Sequence, residues 1–305
     1  MKKIILGLCL ILGINSLYAK GDLYIFDIEN KEGKYTPKLI EKAFENNGYY
    51  ISANSEMNQP FMIQFKETSF KVFTLLTIFH EELSEKLVLK HPKAGIFVPA
   101  GVGIYQSKDD DFLHVSILTA EAQEKIVGFK DSLFHQIEKK NLETLKKALP
   151  GAKMHLSEQA MNPTGPLVTS FEVETDEDWE EMKEELAMVI EDGFKPFGFV
   201  MSNYTEYNYM LSKEETIDTP FDFYDTYSIC KLKVIYTVSK TRPEAAAFAP
   251  CTMIFYKKKG EDKIVMGFPA VYNWMSSAHV TDDKAKAALM KAQKDFETIL
   301  REATE

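Results

Sequence analysis

The chain has few of the residues and none of the short motifs that usually identify an enzyme. Its 305 residues include three cysteines and two tryptophans. It has no Cys-x-x-Cys, no Gly-x-Ser-x-Gly, no phosphate-binding glycine loop and no His-Glu-x-x-His. These absences remove the usual signatures of dithiol oxidoreductases, α/β-hydrolases, nucleotide-binding proteins and zinc proteases. We therefore predict no catalytic residues and no cofactor.

A surplus of basic residues is also missing. Lys and Arg number 36 against 46 Asp and Glu, for a formal net charge of −10. Nucleic acids and anionic lipid surfaces are bound through clustered Lys and Arg, so we predict neither as a partner. The six histidines do not pair at helical spacing, and Asp109-Asp110-Asp111 lacks the spacing of a calcium loop. No metal site is predicted.

The first residues have the pattern of a secretory signal peptide. Two lysines follow Met1, an apolar stretch extends from Ile4 to Gly13, and Ala19 offers a small residue for cleavage. The apolar stretch is shorter than the roughly 20 residues that span a membrane. We predict a signal peptide at 1–19, a periplasmic or secreted protein, and no transmembrane segment after its removal.

An internal repeat organises the rest of the chain. The segment from His91 to Tyr105 returns, 151 residues later, as the segment from Arg242 to Tyr256 (242 − 91 and 256 − 105). Four residues occur at the same positions in both segments. Pro92, Phe97, Pro99 and Tyr105 correspond to Pro243, Phe248, Pro250 and Tyr256. We predict a first domain at 20–150, a linker at 151–166 rich in Pro and Gly, and a second domain at 167–305.

Hydrophobic periodicity gives both halves the same order of elements. Each is expected to contain a strand, a helix, two strands, a short helix, two strands and a helix. Tyr49 to Ser52 is expected to pair with Phe61 to Phe65. The stretch 231–240 takes the place of the short helix, although its β-branched residues favour a strand. The predicted fold class is α+β, with two similar repeats, each a mainly antiparallel sheet with helices on one face.

A set of positions in the second half resembles a family catalogued as domain-of-unknown-function family 302. Members have a Cys at a strand end, a short helix, and a Pro-Cys that opens an apolar strand ending near a Tyr. Cys230, Pro250-Cys251, Tyr256 and Pro269 match that pattern, whereas the first half has Phe79 and Ala100 in place of the cysteines. Lys231-Leu232 departs from the usual Asn-Pro after the first Cys. The resemblance implies a tandem α+β repeat and no particular activity.

The cysteine pair Cys230 and Cys251 is the strongest chemical candidate. Three interpretations stay open: a disulfide closing a loop worth ~3 kcal/mol, a redox or ligand-binding thiol pair, or two buried thiols that never meet. The resemblance implies that non-exported relatives carry the pair too, which a purely secretory disulfide does not explain.

Aromatic residues are concentrated at Tyr204–Met210 and at Tyr272–Met275. They either pack in the core or line a pocket for a small apolar ligand with a polar group. The candidate binding residues are Cys230, Cys251, Tyr256, Tyr272 and Trp274.

The sequence as a whole favours an exported, non-enzymatic module that binds a small molecule or a periplasmic protein. Two alternatives are a thiol redox or metal-linked protein that uses Cys230 and Cys251, and a structural interaction domain in which the two repeats mimic a homodimer.

Overall fold

The structure is a computed structural model that describes residues 21–158, 160–175, 178–213 and 215–305. The predicted signal peptide at 1–19 lies outside these residues. Within the described ranges, every helix is too short or too polar to cross a membrane.

The first half of the chain forms one sheet with its helices. Its elements, in which η marks a 3-10 helix, are β1 (Leu23–Glu29), α1 (Pro37–Glu45), β2 (Tyr49–Glu56), α2 (Asn58–Phe65), β3 (Phe70–His80), α3 (Glu81–Lys90), η1 (Pro92–Phe97), β4 (Ala100–Ser107), β5 (Phe112–Leu118), α4 (Ala120–Val127), α5 (Ser132–Ala148) and β6 (Lys153–Leu156). The strands pair antiparallel in the order β2-β3-β4-β5-β1-β6.

The second half repeats this plan. Its elements are β7 (Val168–Glu174), α6 (Trp179–Phe197), β8 (Val200–Glu206), α7 (Tyr207–Leu211), β9 (Phe221–Cys230), α8 (Leu232–Ser239), η2 (Pro243–Phe248), β10 (Cys251–Lys258), β11 (Lys263–Pro269), α9 (Tyr272–Ser277) and α10 (Asp283–Thr304). The strands pair antiparallel in the order β7-β11-β10-β9-β8.

Corresponding elements keep a constant offset through the second part of each unit. The first residues of η1 and η2, of β4 and β10, of β5 and β11, and of α5 and α10 all differ by 151 (243 − 92, 251 − 100, 263 − 112, 283 − 132). The peptide bonds before Pro99 and Pro250 are both cis. The predicted fold class, α+β with two similar sheet-and-helix units, is confirmed.

Local sequence explains where several helices begin. Thr36 accepts a hydrogen bond from the Leu39 amide at the start of α1, and Pro37 occupies the first helical position, where a missing N–H costs nothing. Asp131 accepts from the Leu133 amide at the start of α5. These caps satisfy amides that have no partner inside the helix.

The short helix predicted at 231–240 is confirmed as α8. Val234, Ile235 and Val238 favour strands as single residues, but here they form the buried face of a helix that packs against α10. Tertiary burial of this face outweighs the propensity difference, which is only a few tenths of a kcal/mol per residue.

Two expectations about local structure are wrong. Phe61 to Phe65 belongs to helix α2, and β2 pairs with β3 instead. The apolar residues from Ala246 onward predict a strand, but the residues up to Phe248 form a 3-10 helix, so β10 begins only at Cys251. The segment that we predict as a linker also contains strand β6, which extends the first sheet by pairing with β1.

Helix α6 continues past Gly193, a residue type that often ends helices, as far as Phe197. A Cβ at Gly193 would lie 2.8 Å from the Ile299 side chain, so this glycine permits the close crossing of α6 and α10. The left-handed cap that ends the helix is Gly198, with φ of 72°.

The two units pack against each other through reciprocal contacts. Segment η1 packs against β10 and β11 of the second sheet, and η2 packs against β4 and β5 of the first. The Tyr224 hydroxyl donates to the Pro92 carbonyl at 2.6 Å, and the Thr252 hydroxyl donates to the Pro99 carbonyl at 2.7 Å. In the other direction, the Ser116 hydroxyl donates to the Glu244 carbonyl at 2.9 Å. A single hydrophobic core extends through this interface.

Candidate functional site

A small apolar cavity lies in the second unit, where β9 ends and β10 begins. Its volume is about 60 Å³, and Cys230, Cys251 and Trp274 all line it. The remaining walls include Met253, Phe268 and Phe296. Three of the five predicted binding residues therefore lie around one cavity.

Strand pairing brings the two cysteines together although they are 21 residues apart in sequence (251 − 230). Cys230 is the last residue of β9 and Cys251 is the first of β10, and Cys251 pairs directly with Ile229. Trp274 reaches the same cavity from α9, the short helix that follows β11. The chemistry-bearing residues are thus positioned by the ends of neighbouring strands.

Both cysteines are free thiols in this structure, so the disulfide that the sequence leaves open is not formed. Burial raises the pKa of Cys230 to about 11 and that of Cys251 to about 12. The Cys251 thiol points towards the Phe248 carbonyl, 3.6 Å away. Because the thiolate is the nucleophile and metal ligand, thiols that stay protonated at neutral pH are weak in both roles.

The indole N–H of Trp274 is a buried donor without an acceptor. The side chain is only 4% exposed, and its Nε1 makes no hydrogen bond of acceptable geometry. It lies close enough to the Cys251 sulfur to offset part of the rise in that thiol's pKa. Buried polar groups are nearly always paired, so an unpaired donor in an apolar cavity marks a position where a ligand acceptor would be stabilised.

The other two predicted binding residues lie elsewhere. Tyr256 is in the same strand as Cys251, but an odd separation of five residues places it on the opposite face, stacked on Tyr224 at 5.1 Å in the core between the units. Tyr272 contacts the loop at Gly165 and is not among the residues that line the cavity. Strand alternation alone could have separated Tyr256 from the cysteines.

The first unit has a corresponding cavity that is largely filled. Its volume is about 20 Å³, and it is lined by Phe79, Ala100 and Gln123, which lie 151 residues before Cys230, Cys251 and Trp274. Polar groups occupy part of it, since the Tyr49 hydroxyl donates to Asn141 at 2.6 Å. The larger apolar cavity is therefore a property of the second unit and not of the shared fold.

The aromatic stretch at 204–210 serves packing and a buried ion pair. Tyr207 is fully buried between Phe79 and Tyr224. Tyr204 donates to Asp225, a buried carboxylate 2.8 Å from Lys183. Burial raises the pKa of Asp225, and Lys183 partly opposes that rise. Sequence patterns did not indicate the ion pair of Lys183 with Asp225, because these residues are far apart in the chain and meet only when α6 packs on β9.

The structure also groups two histidines that the sequence leaves scattered. His114 Nδ1 lies 2.6 Å from Asp27 and its Nε2 lies 2.8 Å from Asp110, while His155 Nε2 lies 3.0 Å from Asp27. Finding this cluster requires the register of β1 with β5 and β6. In the described part of the chain, no three His, Cys, Asp or Glu side chains are arranged to hold a metal ion.

Comparisons with known proteins find only a weak structural likeness. No family model and no curated protein matches the chain. A solved structure described as the uncharacterized conserved protein DUF302 from Bacillus stearothermophilus is 16% identical, with a TM-score of 0.37. The alignment covers 46% of this chain and 100% of that one.

Proposed function

We propose that the protein is a non-enzymatic binding module whose second unit holds a small, mainly apolar ligand in the cavity at Cys230, Cys251 and Trp274. The observation that carries the proposal is the unpaired indole N–H in an apolar cavity of about 60 Å³. A ligand with one acceptor oxygen on a short hydrocarbon would satisfy this donor and fill the cavity. A protein that positions one donor among apolar walls has the parts for recognition, not for acid–base catalysis.

The thiols support binding over redox chemistry. Pairs used for dithiol exchange have depressed thiol pKa values, whereas burial raises both of these. As protonated thiols, Cys230 and Cys251 contribute weak donors and apolar surface to the cavity wall. The competing function, a thiol redox or soft-metal protein, is favoured by one observation, that two free thiols line the same cavity.

We also include in this proposal that the chain is exported and is a tandem repeat related to domain-of-unknown-function family 302. The constant offset of 151 between corresponding elements supports the repeat, and the apolar segment before Ala19 supports export. The reciprocal packing of η1 and η2 supports the third alternative, a structural role in which one chain reproduces a dimer-like arrangement.

Tryptophan fluorescence tests the binding proposal directly. The chain has two tryptophans, and Trp179 stacks on Phe223 outside the cavity. The variant Trp179→Phe keeps an aromatic ring there and leaves Trp274 as the sole reporter. Titration with methyl butyl ketone, a small neutral molecule with one acceptor oxygen, should change its emission saturably and raise the melting temperature.

A matched variant gives the cavity the larger side chain that lines the smaller cavity of the first unit. Cys230→Phe introduces the residue found at the equivalent Phe79, and it should abolish the saturable signal while the protein remains folded by circular dichroism. If the emission and the melting temperature of Trp179→Phe protein are the same with and without the ketone, binding at this cavity is refuted. Tight, stoichiometric uptake of Cu(I), lost in Cys251→Ala, would instead establish the soft-metal alternative.

A further inference from the structure

A groove with four lysines adjoins the cavity. It lies between α8 and α10 and has an open volume of about 470 Å³. Its residues include four cationic side chains and an apolar floor: Lys231, Lys233, Lys284, Lys291, Val234 and Ala288. Small alanines on α10 leave the groove deep, so that a ligand could be in contact with the floor and with the lysines at once.

The positive charge of this groove is mostly uncompensated. Lys231 and Lys291 share one carboxylate, Asp295, at 2.5 Å and 2.7 Å. Lys233 and Lys284 make no ion pair with any residue in the described ranges. Four cations therefore face one carboxylate, on a chain whose formal net charge is −10. A positive groove on an acidic protein attracts small anions selectively.

The groove lies next to the cavity described above. Lys231 and Val234 line both, so the two spaces share a wall at the start of α8. The unpaired Trp274 N–H lies in the cavity, and the exposed Lys233, Lys284 and Lys291 lie along the groove. The combined site has one apolar end and one cationic end.

The first unit lacks this charge pattern. The residue that corresponds to Lys233 is Glu82, which pairs with Lys86 at 2.5 Å, and the one that corresponds to Lys284 is Leu133 (233 − 151 and 284 − 151). The cationic groove thus occurs in the same unit as the larger cavity. The first unit keeps Lys140 at the position of Lys291 (291 − 151) but has only the smaller cavity of about 20 Å³, so the full set of lysines and the larger cavity occur together in the second unit.

From this geometry we infer that the groove and the cavity together bind a small anionic amphiphile, a short-chain carboxylate. Its head group is held by Lys233, Lys284 and Lys291, and its hydrocarbon tail enters the cavity at Trp274. The inference rests on the proposed function, because it uses the same cavity and adds the class of ligand. A cavity of about 60 Å³ takes a short tail and excludes the two long chains of a membrane lipid.

The test compares hexanoate with methyl butyl ketone, which has a similar length and no charge. In Trp179→Phe protein, hexanoate should bind at least about tenfold more tightly than the ketone at low salt. Raising the salt concentration from about 0.02 M to about 0.5 M should weaken hexanoate binding and leave ketone binding unchanged, because exposed charges are screened.

Charge reversal locates the head group. The double variant Lys233→Glu with Lys284→Glu should lose hexanoate binding by about tenfold or more and keep ketone binding. Its control is Lys139→Glu with Lys146→Glu, which makes the same change of net charge on exposed positions of α5. The control should bind both probes as the parent does.

The outcomes separate the two claims. Ketone binding with no preference for hexanoate, or a preference that the groove variant retains, overturns the inference and leaves the proposed cavity function intact. Failure of both probes to bind refutes the cavity function and the inference with it. A hexanoate preference that the control variant also loses overturns the inference too, since it assigns the effect to net charge.

Discussion

The Tyr224 hydroxyl donates a hydrogen bond of 2.6 Å to the backbone carbonyl of Pro92 and thereby links a central strand of the second sheet to η1 of the first unit. Gly95 makes this approach feasible, because a Cβ there would lie 1.8 Å from the same hydroxyl. The position that corresponds to Tyr224 in the first unit is Phe73, which has no hydroxyl (224 − 151). The interface between the units is reciprocal in its packing but not in its hydrogen bonds.

Removing this hydroxyl should weaken the whole protein. Tyr224→Phe leaves the half-buried Pro92 carbonyl without its donor, and we expect a loss of about 1 kcal/mol in the free energy of unfolding. Urea denaturation followed by circular dichroism measures it. Tyr209→Phe is the control, since Tyr209 is 48% exposed and should tolerate the change. An unchanged midpoint for Tyr224→Phe would show that the bond contributes nothing.

The two cavity thiols should react slowly in the native protein. With a pKa of about 11, only about one Cys230 thiol in a thousand is ionised at pH 8, and Cys251, at about 12, is ionised even less. In a Cys9→Ser background, we expect iodoacetamide to label the native protein at least about a hundredfold more slowly than the protein in urea. Rapid labelling of either thiol under native conditions would contradict the raised pKa values.

Acid should remove the contribution of Asp131. Hydrogen bonds from Lys90 and the Leu133 amide, together with His91, lower the pKa of this helix cap from 3.8 to about 2. A lowered carboxyl pKa stabilises the fold above pH 3.8, and that stability is lost as the pH falls towards 2.

Asp131→Asn tests this point because it keeps an acceptor oxygen and removes the charge. We expect it to cost ~1 kcal/mol at neutral pH and to cost progressively less between pH 4 and pH 2. Urea midpoints across this range measure the difference. Asp109→Asn, in an exposed turn, should show no such trend. A cost that does not change with pH would mean that the charge is not involved.

Glu244 should have the opposite dependence. Burial at the interface raises its pKa above 4.5, and Arg242 only partly opposes this. A raised carboxyl pKa means that stability is fully present below pH 4.5 and is lost as the pH rises through the higher folded value. Glu244→Gln removes this penalty, so its stability relative to the parent should increase by about 1 kcal/mol between pH 4 and pH 7.

Melting temperatures across the same range test the Glu244 prediction, with Glu29→Gln at an exposed strand end as control. If Glu244→Gln were instead less stable than the parent at neutral pH, the ion pair with Arg242 would outweigh the cost of burial.

The sequence indicated some residues of the site, and physical reasons explain why it did not indicate the others. The sequence predicted that Cys230 ends one strand and Cys251 opens another, and the structure brings both of them to one cavity with Trp274. Tyr256 was included because it matches a family pattern, whereas the two-residue period of a strand places it on the other face. The lysine groove was not predicted, because Lys233 and Lys284 are 51 residues apart (284 − 233) and meet only when α8 packs against α10.

The sequence by itself determined the α+β class, the two-unit plan and the starts of helices α1 and α5, because hydrophobic period and capping residues are local signals. Tertiary structure alone decided that Phe61 to Phe65 is helical, that β6 completes the first sheet, and that Asp27 is in contact with two histidines. It also decided that the cavity of the second unit has a volume of about 60 Å³, whereas the corresponding cavity of the first unit has about 20 Å³. These outcomes depend on which distant surfaces meet, and packing energy between such surfaces is not encoded in any short window of residues.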